Sequence, residues 1–156
     1  MSYQNALTDL QAKVGTETHV GDWLTIDQAR IDAFAEATLD QQWIHVDVER
    51  ASRESPFGGP VAHGYLTLSL LPYLTKRVDP DQPPYPGVKL AVNYGLNRVR
   101  FPHPVTVGSQ VRALTELISV EEVAGNGLQT TNKVTIEIEG AAKPACVAET
   151  VSRLYF

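Results

Sequence analysis

The sequence predicts an α+β fold in which a long antiparallel sheet curls around one apolar helix. Two observations carry this. The run Tyr65-Leu-Thr-Leu-Ser-Leu-Leu-Pro-Tyr-Leu74 is apolar almost all round, which requires burial on most sides. Downstream, three successive strand-like stretches of ten or more residues (Gln110 to Val123, Leu128 to Glu139, Ala145 to Phe156) form a meander too long to stay flat. Curling that sheet around the helix buries both.

Ser2 to Lys13 reads as a short helix, because Ala6, Leu7, Leu10 and Val14 recur at roughly helical spacing. Gly15 to Val20 reads as a first strand. Thr25 is the expected N-cap of a second helix. Gln28 completes a T-x-x-Q capping box, and Ile26, Ala29, Ala33, Phe34 and Ala37 form the apolar face. That helix delivers Asp40 just past its end. Asp47 to Arg53 gives a further helical turn with Glu49 and Arg50 in solvent. Pro72 lacks an N–H and its ring collides with the carbonyl four residues back, so the apolar helix should kink or end near Leu68 to Leu71. Val78 to Gly87, with four prolines in ten residues, is a loop. Val88, Leu90 and Val92 then alternate, Gly95 marks a bulge, and Val99 and Phe101 carry the strand to Pro102-His103-Pro104. Gly125-Asn126-Gly127 is the turn between the first two long strands, and Gly140 to Pro144 leads into the last.

At 156 residues, and with no internal repeat or linker, the chain is expected to be a single domain, 1–156. With 43% hydrophobic and 20% charged residues it is neither disordered nor fibrous. Its 13 basic and 18 acidic residues argue against a nucleic-acid partner, whose electrostatic footprint would be basic. The single cysteine, Cys146, excludes an internal disulfide, is expected to pack in a strand, and suits a reducing, cytoplasmic setting. The N-terminus has no signal-peptide pattern and no apolar run is long enough to span a bilayer, so no membrane partner is expected.

Ionisable groups, glycines and a helix start gather in one stretch, Asp40-Gln-Gln-Trp-Ile-His45 followed by Ser55-Pro-Phe-Gly-Gly-Pro-Val-Ala-His-Gly64. On a continuous helix Asp40 and His45 would lie about 140° apart around the axis, so the chain must turn between them before they can share a substrate. Trp43 and Ile44 anchor that turn. A carboxylate and an imidazole brought together in this way can hold a water and move its protons. Gly64 opens the apolar helix, where free N–H groups and the positive end of the dipole suit a developing oxyanion. His63 is expected to fix the loop through a hydrogen bond, with no part in proton transfer. Thr67 and Ser69 carry the hydroxyls nearest the site, and a bond back to a helix carbonyl competes with any role for them there. His19 and His103 are read as structural and surface residues. Asp40, His45, Asp47 and His63 lack a recognised ligand spacing, so no metal is expected.

The order Asp40-x-Gln42-x-Ile44-His45-x5-Ala51 followed by Gly59-Pro-Val-Ala-His63-Gly64 resembles the (R)-specific enoyl-CoA hydratase motif of the MaoC-like dehydratase family, a hot-dog-fold group. Asn93-Tyr-Gly-Leu-Asn-Arg-Val-Arg-Phe101 is similar to its nodulation-protein-N-like branch. The likeness runs from about Val20 to the C-terminus. Leu39 stands where a Gly often precedes the Asp, and Gln42-Trp43 replaces the usual Asn-Pro. The resemblance implies reversible hydration of a trans-2-enoyl-CoA to an (R)-3-hydroxyacyl-CoA, with Asp40 and His45 catalytic and Gly64 the oxyanion donor. Gln42, His63 and Ser69 are further candidates for contact with substrate. It implies a homodimer and no cofactor beyond the coenzyme A carried by the substrate. A hot-dog thioesterase and a non-catalytic acyl-thioester binding module are the alternatives.

Overall fold

The computed structural model describes residues 3–77 and 85–156. Helix α1 (Tyr3–Lys13) buries Ala6, Leu7 and Leu10 against the sheet. It is followed by β1 (Glu17–Val20) and by a two-residue strand, β2 (Leu24–Thr25), that periodicity did not show. Thr25 pairs with Gln110 in this strand and does not cap a helix. Helix α2 (Gln28–Thr38) is instead capped by Asp27, whose carboxylate accepts from the Arg30 N–H at 2.9 Å. The face it buries also differs from the expected one. Ile31 and Ala35 are buried with Phe34 packed beside them, while Ala29, Ala33 and Ala37 face solvent. Covering Ile31 and Phe34 removes more apolar surface from water than covering three alanines, and that difference sets the rotation of the helix.

Two short helices follow, α3 (Trp43–Val46) and α4 (Val48–Glu54). The apolar helix is broken where Pro72 required it. Segment α5 (Gly64–Ser69) ends, Leu70 forms the joint, and α6 (Leu71–Leu74) restarts with Pro72 in its first turn. Leu66, Leu70, Leu71 and Leu74 are buried, but Tyr65 and Tyr73 are 70% and 60% exposed, so in the single chain one side of this helix faces solvent. Residues 78–84 of the proline-rich loop lie outside the described residues.

Strands β3 (Leu90–Arg100), β4 (Gln110–Val123), β5 (Gly127–Ile138) and β6 (Cys146–Tyr155) complete an antiparallel sheet in the order β1-β4-β5-β6-β3, with β2 also on β4. The register of β3 on β6 shifts between Asn93 and Gly95, where the bulge was expected. Burial alternates along β4 as far as Leu117 and along β5 from Leu128, and the inner face divides into two apolar clusters. One gathers Val111, Val134 and Ile136 around α2, α5 and α6, and the other sets Leu117 and Leu128 against α1. Between them the inward residues are polar: Thr115, Thr130, Asn132 and Ser152 are all buried. Strand β3 lies at one end of the sheet and is exposed along nearly its whole length. Cys146 is buried in β6 as expected, and burial pushes its thiol up to about 11.

Candidate active site

The turn demanded between Asp40 and His45 is made by Leu39, which ends α2 in the left-handed conformation (φ 63°, ψ 16°) and swings the chain off the helix axis. Asp40 follows with its carboxylate exposed. The chain then re-enters a helix, α3, which places His45 7% exposed beneath it. Beyond α4 the chain returns past Val61 and His63 to the start of α5. The His45 and His63 rings stack with centroids 3.8 Å apart and planes 23° apart, and Phe34 of α2 packs on His63 at 5.0 Å. A carboxylate oxygen of Asp40 and one ring nitrogen from each histidine thus lie within 4.8 Å of one another.

The hydrogen bonds fix both tautomers. His45 Nδ1 lies 2.6 Å from the Val61 carbonyl, which can only accept, so Nδ1 carries the hydrogen and Nε2 of the neutral ring keeps its lone pair. By the same logic His63 Nε2 donates to the Asp40 carbonyl at 3.0 Å, leaving a buried Nδ1 with no partner among the described residues. Burial lowers the His45 pKa. The Val61 bond and the Asp40 charge oppose that shift, and His63 adds to it.

Gln28 has a part that its pattern concealed. As the first residue of α2 it sends its amide to the His45 carbonyl at 2.8 Å and also to Asp32, tying α2 to α3. Gln42 precedes α3, accepts the His45 N–H through its own carbonyl at 3.0 Å, and leaves its side chain exposed. Gly64 meets Phe101: a Cβ there would stand 3.1 to 3.3 Å from the aromatic ring. As the first residue of α5 its N–H has no intrahelical acceptor. Ser69 returns its hydroxyl to the Tyr65 carbonyl at 2.7 Å, and Thr67 is buried. His19 lies 3.2 Å from the Leu74 carbonyl, and His103, only half-exposed, lies 2.8 Å from the Pro104 carbonyl.

Asp40, His45 and His63 are the potential metal donors that meet here, and Asp47, the fourth candidate, is not among them. Asp47 turns away to cap α4, accepting from the Arg50 N–H.

A cavity of about 380 Å³ opens beside the same helix, starting at Leu68 and Ser69 and bounded opposite by Gly95 and Leu96 of β3 and Val151 of β6. The family model described as MaoC like domain matches residues 9–138. The chain belongs to the MaoC-like dehydratase family, and hence among the hydro-lyases. The 3-hydroxyacyl-thioester dehydratase Z of Mycobacterium tuberculosis is 51% identical to this MaoC-like chain over 148 residues, covering 95% of each. Nodulation protein N of Rhizobium leguminosarum bv. viciae is 42% identical over 154 residues, covering 99% of this chain and 94% of that one. Among solved structures, the (R)-hydratase from A. caviae superposes with a TM-score of 0.66 at 25% identity, over 86% of this chain and 96% of that one. The MaoC-like fold seen here, a sheet around a broken central helix, is the hot-dog fold. No helix among the described residues is long and apolar enough to cross a membrane.

Proposed function

We propose that the protein is an (R)-specific enoyl-CoA hydratase, adding water reversibly to a trans-2-enoyl thioester. The observation that carries this reading is the His45 tautomer: an imidazole held through Nδ1–H by Val61 keeps a lone pair on Nε2, a nitrogen of that ring lies within 4.8 Å of an Asp40 carboxylate oxygen, and His63, the neighbour of Gly64, stacks on it. Asp40 and His45 hold one water. His45 Nε2 takes a proton from it as the oxygen bonds to the β-carbon, and the imidazolium so formed is stabilised by the Asp40 charge. The negative charge moves onto the thioester oxygen, where the Gly64 N–H receives it, and the pair returns a proton to the α-carbon. Atoms balance with water and the enoyl group alone, so this conjugate addition needs neither an electron sink nor a Lewis acid. Coenzyme A enters as part of the substrate. His63 positions Asp40 by holding its carbonyl, and the cavity from Leu68 and Ser69 onward takes the acyl chain.

The working unit in this reading is a cytoplasmic homodimer joined along β3, whose exposed Leu90, Val92, Tyr94 and Leu96 leave an apolar edge unpaired.

The test is hydration of trans-2-enoyl-CoA by the wild type, Asp40→Asn, His45→Gln and the double variant, with the product's stereochemistry determined. Each single substitution is expected to lower turnover by about 10²- to 10⁴-fold while the protein stays folded. Because both groups act on one water, the double variant should be little worse than the poorer single one. Release of free thiol would identify a thioesterase, and binding without turnover an acyl-thioester binding module. Unchanged hydration in either single variant would defeat the mechanism.

A further inference from the structure

The far end of the acyl cavity is not apolar. Arg77, three residues beyond the end of α6, lines the cavity that begins at Leu68 and also lines a second chamber of about 110 Å³. Pro72, Asn93 and Ser152 belong to both linings as well, so the two spaces adjoin at Arg77 and these three residues. Beyond it the wall of the second chamber is mixed: Thr130 and Asn132 of β5 and Tyr85 line it together with the apolar Leu117 and Leu154. Thr130 and Asn132 are among the inward polar residues that separate the two apolar clusters.

Among the described residues Arg77 has little to answer its charge. Its Nη1 donates to the Ser152 hydroxyl at 2.6 Å, a neutral acceptor, and no ion pair among the described residues includes it. Burial pushes the Tyr85 phenol above its ordinary range, so that ring is neutral at neutral pH and supplies no counter-charge. Burial also lowers the Arg77 pKa, but a guanidinium remains charged across the working range. A cation held against an apolar cavity without a carboxylate is costly until an anion arrives, and a planar guanidinium fits a carboxylate through paired hydrogen bonds.

Building on the hydratase reading, we infer that the cavity accepts acyl chains whose far end carries a carboxylate, with Arg77 binding that group and Ser152, Asn93 and Asn132 completing its hydrogen bonds. The substrate class is then the ω-carboxy-2-enoyl thioester. A plain alkyl end of the same length would instead bring a methyl group against the guanidinium and leave its donors unanswered.

Matched pairs of trans-2-enoyl-CoA substrates, identical in length and ending in either methyl or carboxylate, test this across four to twelve carbons. At the lengths that reach Arg77 the carboxylate member should have the higher kcat/KM by about tenfold or more, the difference lying in KM. Arg77→Met should invert that preference, and Arg77→Lys should retain part of it. Preference for the methyl end at every length in the wild type overturns the inference, as does a carboxylate preference that survives Arg77→Met. The wild-type comparison needs no variant, so a misfolded Arg77→Met leaves the question decidable. If no member of the series is hydrated, the hydratase reading has failed. Calorimetry with saturated acyl-CoA and ω-carboxyacyl-CoA then reads the same discrimination without turnover, and equal affinities would overturn the inference on its own.

Discussion

His45 is buried neutral, and its pKa is lowered first by that burial, so the unfolded chain binds its proton more readily than the folded one. The stability it contributes is therefore complete above the ordinary histidine value of about 6.5 and is lost as the pH falls from there through the folded value. Two measurements follow. The acid limb of the kcat/KM profile should lie below about 6.5, and the fall in melting temperature between pH 7 and 5 should be smaller in His45→Gln than in the wild type. An acid limb above the ordinary value would mean that His45 is not the base. Gly64 offers a second residue-scale test, because its missing side chain leaves room for Phe101 as well as for a thioester. Gly64→Val should lose hydration activity and some stability. Adding Phe101→Leu should restore the melting temperature without restoring turnover. A double variant with near wild-type turnover would reduce Gly64 to a packing residue.

Among the elements, the end of α2 is under strain that the chain tolerates in order to turn. A leucine in the left-handed region costs roughly 1–2 kcal/mol, and glycine there relieves that while adding about 0.5–1 kcal/mol of backbone entropy. Leu39→Gly should therefore gain up to about 1 kcal/mol, a rise of about 2–4 °C in melting temperature, since the Leu39 side chain is 80% exposed and packs on little. A fall would mean that the side chain has a partner in the assembled protein. Leu39 signals no turn by its own chemistry, and the one sign of the strain in the sequence was that it stands where a Gly often precedes the Asp. Other elements were legible to the extent that their signals were local. Pro72 announced the break between α5 and α6, Gly95 the bulge of β3, and Gly125-Asn126-Gly127 the hairpin of β4 and β5. Thr25 misled because its ladder partner, Gln110, lies far along the chain, and a pairing at that distance outweighs a local capping signal. The approach of Asp40 and His45 followed from requiring a turn. That Val61 and Gln28 orient His45 did not, since one acts through its carbonyl and the other through a side chain that also fitted a capping box.

For the molecule as a whole, β3 sets the expected assembly. Its Leu90, Val92, Tyr94 and Leu96 are too numerous and too contiguous to be left to solvent, and among the described residues β3 pairs with β6 alone. Light scattering should show a dimer at micromolar concentration. The melting temperature should rise with protein concentration, as it does when only the folded state associates. A monomer whose melting temperature ignores concentration would refute the assembly. A last consequence comes from how the two imidazoles are held. Val61 and Asp40 grip the rings with main-chain oxygens, so the side chain at Val61 takes no part in either bond. The alignment of the base is thereby a property of the path of the backbone, and any apolar residue that fills the space of Val61 inherits it. Sequences descended from this one can drift at that position without loosening the chemistry.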